Sequence, residues 1–305
     1  MTADLQALKR SVKGLVKPHE ALAGHTSFKI GGPADIWAEP QNSMQLKKLL
    51  LYAAKNKMAF FVIGGGTNLL VSDEGFRGIV IHLGATFFKK FTVRGTSVKV
   101  GAGFNVPALV RMCCEKGLGG IESLIGIPGT VGGAIRMNAG GWNSPIYKNI
   151  GELVASLKVM DHDGNIRNIR KDALKFGYRN SNLDRYIILE AVLDLYKEDT
   201  KALRSRCSQF LTIKRRKQAL DLPSAGCVFK NPEESQFTCG QMIDMLGLKG
   251  KKIGGAEISD RHANFIVNKT RKAHCQDVMS LIEFIREKIK ESYHMPLELE
   301  IKILR

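Results

Sequence analysis

The spacing of hydrophobic and polar positions changes several times along the chain, and each change predicts a different element. Helical spacing over residues 43–57 and 106–117 predicts two helices, and Gly117 is suited to be the C′ residue of the second. Short apolar runs at 59–66 and 78–83 predict buried strands. The first half of the chain therefore mixes helices and strands.

Alternating positions indicate further strands in the middle of the chain. Residues 91–103 and 156–170 are each typical of a β-hairpin, and the second is expected to turn at Asp163–Gly164. Strand character resumes over 187–196. Beyond Asp199 the pattern predicts a long basic helix (about 200–217), a short helix (241–248), a strand (263–268), a helix (277–290) and a last strand (297–304). Without a regular βαβ alternation, the order favours the α+β class, with a domain boundary near residue 200.

Glycine is concentrated in two segments, IGGGTNLL (63–70) and GIPGTVGGAIRMNAGG (126–141). Glycine lets backbone N–H groups come close to an anion, so such segments suit a pyrophosphate. The first has Leu69 where the Rossmann fingerprint needs a third glycine, and the second lacks the ending of a Walker A loop. Either segment alone is equally explained as a tight turn that packs backbone on backbone. Two such segments close together favour a dinucleotide.

Composition and charge narrow the class of protein. Of 305 residues, 44% are hydrophobic and 25% are charged, and no apolar run approaches the roughly 20 residues needed to span a bilayer. The first residues lack the apolar stretch of a secretory signal, so we expect a cytoplasmic protein without membrane insertion. The net charge of +17 indicates anionic partners, with basic clusters at 213–217 and 249–252. Phosphorylated small molecules explain this charge as well as nucleic acid does, and neither an RNA-binding aromatic signature nor a zinc finger is present.

The six cysteines form no C-x-x-C pair and no cluster with zinc-ligand spacing, so neither a disulfide framework nor a metal site is expected. Five of them are expected to be small buried hydrophobes. Cys227 is different, because it stands in the unusual segment PSAGCVFKNP (223–232).

Several segments together resemble one enzyme family. They are TSFKIGGPADIWAEP (26–40), VIGGGTNLLVSDEGFRGIVIHL (62–83), GIPGTVGGAIRMNAG (126–140), FGYRNS (176–181), PSAGCVFKNP (223–232), GLKGKKIGGAEIS (247–259) with HANFIVN (262–268), and LELEIKIL (297–304). In this order they are similar to the UDP-N-acetylenolpyruvoylglucosamine reductases. No long insertion follows FGYRNS, and in this respect the chain resembles the shorter, type II branch of the family.

The resemblance implies a flavoenzyme of peptidoglycan precursor synthesis. NADPH would reduce bound FAD, which would reduce the enolpyruvyl ether of a UDP-sugar to give UDP-N-acetylmuramate. It implies two FAD-binding subdomains of the vanillyl-alcohol oxidase type, which we place at 20–90 and 91–199, and a smaller α+β substrate-binding domain at 200–305. We expect a monomer whose partners are the UDP-sugar and NADPH, with no nucleic acid.

The resemblance also implies site residues. The expected FAD-binding residues are Ile63, Gly64, Gly65, Gly66, Thr67, Asn68, Leu69, Gly129, Thr130, Gly132, Gly133, Ala134, Asn138, Ala139 and Gly140. The expected substrate-binding residues are Tyr178, Lys217, Lys230 and Asn231. Arg179, Cys227 and Glu300 match the catalytic positions.

The three catalytic positions suit the chemistry that the resemblance implies. A planar guanidinium at Arg179 suits the negative charge that develops on the substrate carboxylate. Cys227 stands where most family members have a serine, and its thiol would donate a proton to the carbanion. Leu299 replaces the usual proline before Glu300, which leaves Glu298 as an alternative to Glu300.

Two other functions stay open at this point. One is a different flavoenzyme, such as an oxidase, on the same FAD-binding scaffold, although PSAGCVFKNP and the terminal strand argue against it. The other is a nonenzymatic nucleic-acid-binding protein that uses the +17 charge.

Overall fold

A computed structural model describes residues 3–140 and 148–305. The helices in these ranges are α1 (Ala3–Ser11), α2 (Ser43–Lys55), α3 (Val106–Glu115), α4 (Val131–Arg136), α5 (Ile150–Leu153), α6 (Thr200–Lys217), α7 (Cys239–Met245) and α8 (Cys275–Tyr293). Short 3₁₀ helices occupy Leu22–His25, Thr86–Lys89, Glu122–Leu124 and Lys171–Ala173.

The strands in the described residues are β1 (Leu15–Ala21), β2 (Pro33–Glu39), β3 (Ala59–Ile63), β4 (Leu69–Val71), β5 (Phe76–His82), β6 (Phe91–Arg94), β7 (Ser97–Gly101), β8 (Leu118–Gly119), β9 (Val154–Asp161), β10 (Ile166–Arg170), β11 (Phe176–Gly177), β12 (Asn180–Ser181), β13 (Tyr186–Asp194), β14 (Tyr196–Lys197), β15 (Lys252–Ile253), β16 (Ala256–Ile258), β17 (Ile266–Val267) and β18 (Lys302–Leu304). The mixture of helices with mostly antiparallel sheets confirms the α+β class.

The chain divides into two compact units. Unit 1 comprises Met1–Pro18, Ile36–Gly65 and Gly78–Lys214, and unit 2 comprises His19–Asp35, Gly66–Arg77 and Arg215–Arg305. Each unit collects segments that lie far apart in the sequence. The three-domain division at residues 90 and 199 stays a prediction.

Unit 1 is built on a five-stranded antiparallel sheet in the order β10-β9-β13-β7-β6. Both predicted hairpins are confirmed as β6–β7 and β9–β10. Helix α3 is amphipathic and buries one face in the core of this unit, and Asn105 caps it by accepting a hydrogen bond from the N–H of Ala108. Gly117 follows α3 with φ of 67°, as its predicted role requires.

A four-stranded sheet has the order β1-β2-β5-β3. Its strands β3 and β5 are parallel, with Ile63 opposite His82. The predicted strands at 59–66 and 78–83 are confirmed within a few residues of their ends. The first glycine segment therefore starts at the carboxyl end of β3, which is mostly half-buried rather than buried as predicted, with only Ile63 buried.

Unit 2 packs α7 and α8 on the three-stranded sheet β15-β16-β17. Helix α8 buries its apolar positions at helical spacing, including Val278, Ile282 and Ile285. The last strand is shorter than predicted: only Lys302–Leu304 pairs as a strand, parallel to β4.

Hydrogen bonding explains why the last strand is short. The N–H groups of Glu300 and Ile301 both point to the carbonyl of Val228, at 2.8 and 3.4 Å, while the N–H of Lys302 donates to the carbonyl of Asn68. The chain thus changes its backbone partner at this point. The alternation of buried and exposed residues that one strand over 297–304 would show is broken there, since Leu304 is buried and Ile303 is only half-buried.

Candidate active site

The two glycine segments meet within unit 1. A Cβ atom added to Gly64 would lie 2.4 Å from Oγ1 of Thr130, so only glycine permits this approach. Thr130 caps α4, and its hydroxyl accepts a hydrogen bond from the N–H of Gly133. Gly132 is constrained less tightly, because its added Cβ would lie 3.0 Å from the Cβ of Ala102. Part of the glycine content is therefore explained by close packing against neighbouring residues.

Other glycines of these segments leave the backbone accessible. Gly65 and Gly133 are exposed, and a Cβ atom added to Gly133 would meet nothing closer than 3.5 Å. Exposed glycine backbone on neighbouring segments fits a bound anion such as a pyrophosphate. The predicted FAD-binding residues of unit 1 fit the cofactor in this respect.

A buried asparagine, Asn138, lies near the end of the second glycine segment. Asn138 has φ of 44° and is 2% exposed. Its Nδ2 donates to the carbonyl of Gly177 at 2.9 Å, and its Oδ1 accepts from the N–H of Gly151 at 3.1 Å. Gly141, which the sequence places at the end of this segment, lies outside the described residues.

Arg179 stands at the tip of a tight hairpin that Asn138 holds. Strands β11 and β12 pair with Phe176 opposite Ser181, which leaves Tyr178 and Arg179 as the connecting residues. Arg179 has φ of 51°, a left-handed conformation that costs energy in a residue other than glycine. Its guanidinium carbon lies 5.2 Å from the centre of the Tyr178 ring.

In unit 2 the rest of the first glycine segment runs beside the end of the chain. Gly66 has φ of 60°, and its carbonyl accepts from the N–H of Ser27 at 3.1 Å. Nδ2 of Asn68 donates to the carbonyl of Glu300 at 3.1 Å, and β18 then pairs with β4 from Leu69 onward. The terminal strand is thereby attached to the predicted FAD-binding segment, which sequence periodicity did not reveal.

Cys227 lies in an extended segment with partners on both sides. It forms an antiparallel bridge with Phe265, and Phe229 forms another with Leu299. The N–H of Val228 donates to the carbonyl of Asn264, and the carbonyl of Val228 accepts from the N–H of Glu300, each at 2.8 Å. The structure therefore brings the backbones of Cys227 and Glu300 together.

Asn264 completes the hydrogen bonding of this segment. It is 3% exposed, its Oδ1 accepts from the N–H of Phe229 at 2.9 Å, and its Nδ2 donates to the carbonyl of Phe229 at 2.8 Å. One amide side chain thus pairs both backbone groups of one residue. The sequence analysis did not predict this role. The feature that could have indicated it is the single amide residue, Asn264, inside the apolar run ANFIV.

The structure also separates the two candidate glutamates. The side chain of Glu298 is 73% exposed and forms an ion pair with Lys230. Glu300 is half-buried, and both its N–H and its carbonyl are hydrogen-bonded. This difference supports Glu300.

The predicted substrate-binding residues have varied surroundings. Lys230 pairs with Glu298, and Oδ1 of Asn231 accepts from the N–H of Cys239 at the start of α7. Lys217 is the exposed last residue of α6.

Burial, with the nearby Cys227 as a smaller cause, raises the pKa of Cys239 to about 12, which keeps that thiol protonated.

Some features are absent from the part of the chain that the structure describes. No helix in 3–140 or 148–305 is long and apolar enough to cross a membrane. Within the same ranges, no group of three acidic, histidine or cysteine side chains is arranged to hold a metal ion.

Two family models match the chain. Residues 34–170 match an FAD binding domain, and residues 218–304 match the C-terminal domain of UDP-N-acetylenolpyruvoylglucosamine reductase. The first model covers both glycine segments, and the second covers Cys227 and Glu300.

Proteins that this chain matches over most of their length are named UDP-N-acetylenolpyruvoylglucosamine reductase. The UDP-N-acetylenolpyruvoylglucosamine reductase of Bacillus pumilus is 38% identical over 95% of this chain and 94% of its own length. That of Clostridium botulinum is 39% identical over 93% of this chain and 91% of its own. The crystal structure of UDP-N-acetylenolpyruvylglucosamine reductase from Thermus caldophilus superposes with a TM-score of 0.83 at 33% identity, covering 96% of this chain and 100% of that one. The chain therefore belongs to the UDP-N-acetylenolpyruvoylglucosamine reductase family.

Proposed function

We propose that this protein is an FAD-dependent reductase that uses NADPH to convert UDP-N-acetylglucosamine enolpyruvate to UDP-N-acetylmuramate, in peptidoglycan precursor synthesis. The reaction is proposed because the chain belongs to this enzyme family. The main observation behind the proposed site is the hydrogen bond from the N–H of Glu300 to the carbonyl of Val228. This bond places the segment that contains Cys227 beside the half-buried Glu300. When bound, FAD supplies the hydride that it has received from NADPH.

The chain's own residues would manage charge and protons. Hydride addition to the substrate double bond leaves negative charge on the neighbouring carbon and its carboxylate. In our proposal the guanidinium of Arg179 stabilises that charge, because it stays protonated and offers a planar set of donors. The thiol of Cys227 donates the proton that completes the new C–H bond.

Two backbone features support these roles. Arg179 is presented by a hairpin tip with a left-handed backbone, and strained residues of this kind are concentrated at functional sites. Cys227 follows Gly226, whose φ is 82°, and Asn264 holds the segment after it in place. Glu300 is proposed as the third catalytic group.

The remaining assignments are also proposals. We assign FAD contacts to the two glycine segments and substrate contacts to Tyr178, Lys217, Lys230 and Asn231. The enzyme is proposed to be a cytoplasmic monomer that needs no nucleic acid.

A direct test uses the purified protein. The expected preparation is yellow, and NADPH oxidation should depend on the enolpyruvyl UDP-sugar and yield UDP-N-acetylmuramate in equal amount. Oxidation of NADPH that consumes oxygen and ignores the sugar would instead indicate a flavin oxidase. A colourless protein that takes up no FAD and binds oligonucleotides would overturn the proposal in favour of the nucleic-acid-binding alternative.

A further inference from the structure

Two thiols outside the proposed active site lie close together in unit 1. Sγ of Cys114 on α3 and Sγ of Cys207 on α6 are 3.5 Å apart. Cys114 is 2% exposed, and Cys207 is half-buried. A disulfide needs a sulfur–sulfur distance of about 2.05 Å, so the two sulfurs would have to approach each other by roughly 1.5 Å to form the bond.

The surroundings of the pair favour reaction at Cys207. The hydrogen bond between the two thiols is the main cause that lowers the pKa of Cys207, and the same bond raises the pKa of Cys114. Burial and the charge of Glu122 oppose the shift at Cys207, and the charge of Arg206 adds a smaller lowering effect. Arg206 is fixed in place by ion pairs with Glu122 and Glu198. The thiolate is the reactive form of cysteine, so the half-buried partner is the one suited to meet an oxidant.

Three of the other cysteines are poor competitors. Burial raises the pKa of Cys113 and Cys239 to about 12 and that of Cys275 to about 11. These thiols stay protonated at neutral pH and react slowly. Cys227 is half-buried and is the competitor that an experiment must separate from the pair.

We propose that Cys114 and Cys207 are a redox modification site, which forms a reversible disulfide when the protein meets a hydroperoxide. The Cys207 thiolate attacks a peroxide oxygen and the O–O bond breaks, so that a sulfenic acid forms on Cys207 and the leaving hydroxide takes up the proton that the thiol released, giving water. The sulfur of Cys114 then attacks that of Cys207, the S–O bond breaks, and water leaves with the Cys114 proton. In sum, the two thiols lose two electrons and hydrogen peroxide becomes two molecules of water. A dithiol reductant reverses the bond by thiol–disulfide exchange.

The disulfide would join two helices that hold the second glycine segment. At the start of α3, the N–H of Val106 donates to the carbonyl of Gly129 at 3.1 Å. On α6, Nζ of Lys214 donates to the carbonyl of Gly126 at 2.5 Å. Oxidation is therefore expected to restrain the segment 126–130 from both sides.

Mass spectrometry of the full-length protein tests the site. After limiting hydrogen peroxide and alkylation of the remaining thiols, the free thiol count should fall from six to four. Trypsin should release the peptide 112–116, which holds Cys113 and Cys114, linked to the peptide 207–214. A dithiol reductant added before alkylation should restore all six thiols.

Variants assign the bond to one pair. Cys113→Ala should still give the linked peptides, whereas Cys114→Ala and Cys207→Ser should not. The wild-type result does not depend on how well these variants fold. Oxidation of Cys227 while peptides 112–116 and 207–214 stay reduced would overturn the proposal, as would a link that Cys113→Ala abolishes.

Amide hydrogen exchange tests the consequence. The oxidised protein should exchange more slowly than the reduced protein over 200–214 and 126–130, and Cys207→Ser should show no such difference after the same peroxide treatment. Equal exchange in the two forms of a protein shown to contain the disulfide would overturn the predicted restraint.

Discussion

Two buried asparagines, one in each unit, hold the segments that carry the proposed catalytic residues, and they do so in different ways. In unit 2, Asn264 makes both side-chain bonds to Phe229 and so replaces a neighbouring strand at that point. In unit 1, Asn138 bonds to Gly151 and Gly177, which lie in separate elements. Asn264 thus stiffens one segment, whereas Asn138 joins several.

This difference separates two ways of fixing a reactive side chain. The Cys227 segment is extended, and its rigidity comes from backbone pairing that one amide completes. The Arg179 hairpin is a tight turn that depends on left-handed residues at both Asn138 and Arg179. Substitution of Asn264 in unit 2 should therefore destabilise its segment through lost hydrogen bonds. Substitution of Asn138 in unit 1 should act through lost hydrogen bonds and through backbone conformation as well.

The largest expected effect is a loss of catalytic rate on substitution of Cys227, which precedes the residues that Asn264 holds. Cys227→Ala should slow the oxidation of reduced flavin by the substrate about 10²–10⁴-fold, because the proton donor is lost. Reduction of the flavin by NADPH should be unchanged, and stopped-flow absorbance measures both half-reactions. Cys227→Ser is the control and should retain far more activity than Cys227→Ala. Full activity in Cys227→Ala would show that this thiol is not the donor.

A comparable loss is expected at the hairpin of unit 1. Arg179→Lys keeps the charge but loses the planar set of donors, so kcat should fall about 10²–10³-fold. The free energy of unfolding should change little. Arg185→Lys, at an exposed position nearby in the chain, is the matched control. If both variants behave alike in kinetics, Arg179 has no special role.

The third effect is on stability. Asn264→Ala leaves the N–H and carbonyl of Phe229 without partners in a buried environment, which should lower the free energy of unfolding by roughly 2–5 kcal/mol. Asn56→Ala, which removes an exposed side-chain bond to Tyr52, should cost much less. Urea unfolding of both variants measures the difference. Similar losses would mean that the amide of Asn264 does not support its segment.

A smaller effect should distinguish the two asparagines. Asn138→Gly and Asn138→Ala lose the same hydrogen bonds, but only glycine accepts φ of 44° without strain. Alanine should therefore be less stable than glycine by roughly 1 kcal/mol in urea unfolding. At Asn264, which has no left-handed backbone, the order should reverse, because glycine adds entropy to the unfolded chain. The same order at both sites would contradict the comparison.

The smallest effect is a pH dependence in unit 2. Burial, with the charge of Lys249 as a further cause, lowers the pKa of His262, whose Nδ1 accepts from the N–H of Asn264 at 3.3 Å. The unfolded chain then binds a proton more readily than the folded one. Stability from this group is complete above its ordinary pKa of about 6.5 and is lost as the pH falls through the lower folded value.

The measurement is the free energy of unfolding between about pH 7.5 and pH 5. His262→Gln should give a flatter profile than the wild type over the acid half of that range. Parallel profiles would mean that the folded and unfolded states bind this proton equally.

Local pattern predicted much of the fold. The helix at 200–217 and both hairpins follow from periodicity and turn residues, which depend on neighbours in the sequence. Helix α4 was not predicted, because two consecutive glycines disfavour a helix. It is stabilised by contacts with distant residues, such as the bond from the N–H of Gly132 to the carbonyl of Ala102.

The sequence by itself determined the family, the α+β class and the identity of the proposed reactive groups, because these depend on residue types and their order. Only the tertiary structure decided that Glu300 rather than Glu298 is half-buried beside the Cys227 segment, and that Asn138 holds the Arg179 hairpin. Both depend on hydrogen bonds between residues far apart in the chain, such as that from Asn68 to Glu300. Periodicity contains no information about such partners, because it describes only which face of an element is buried.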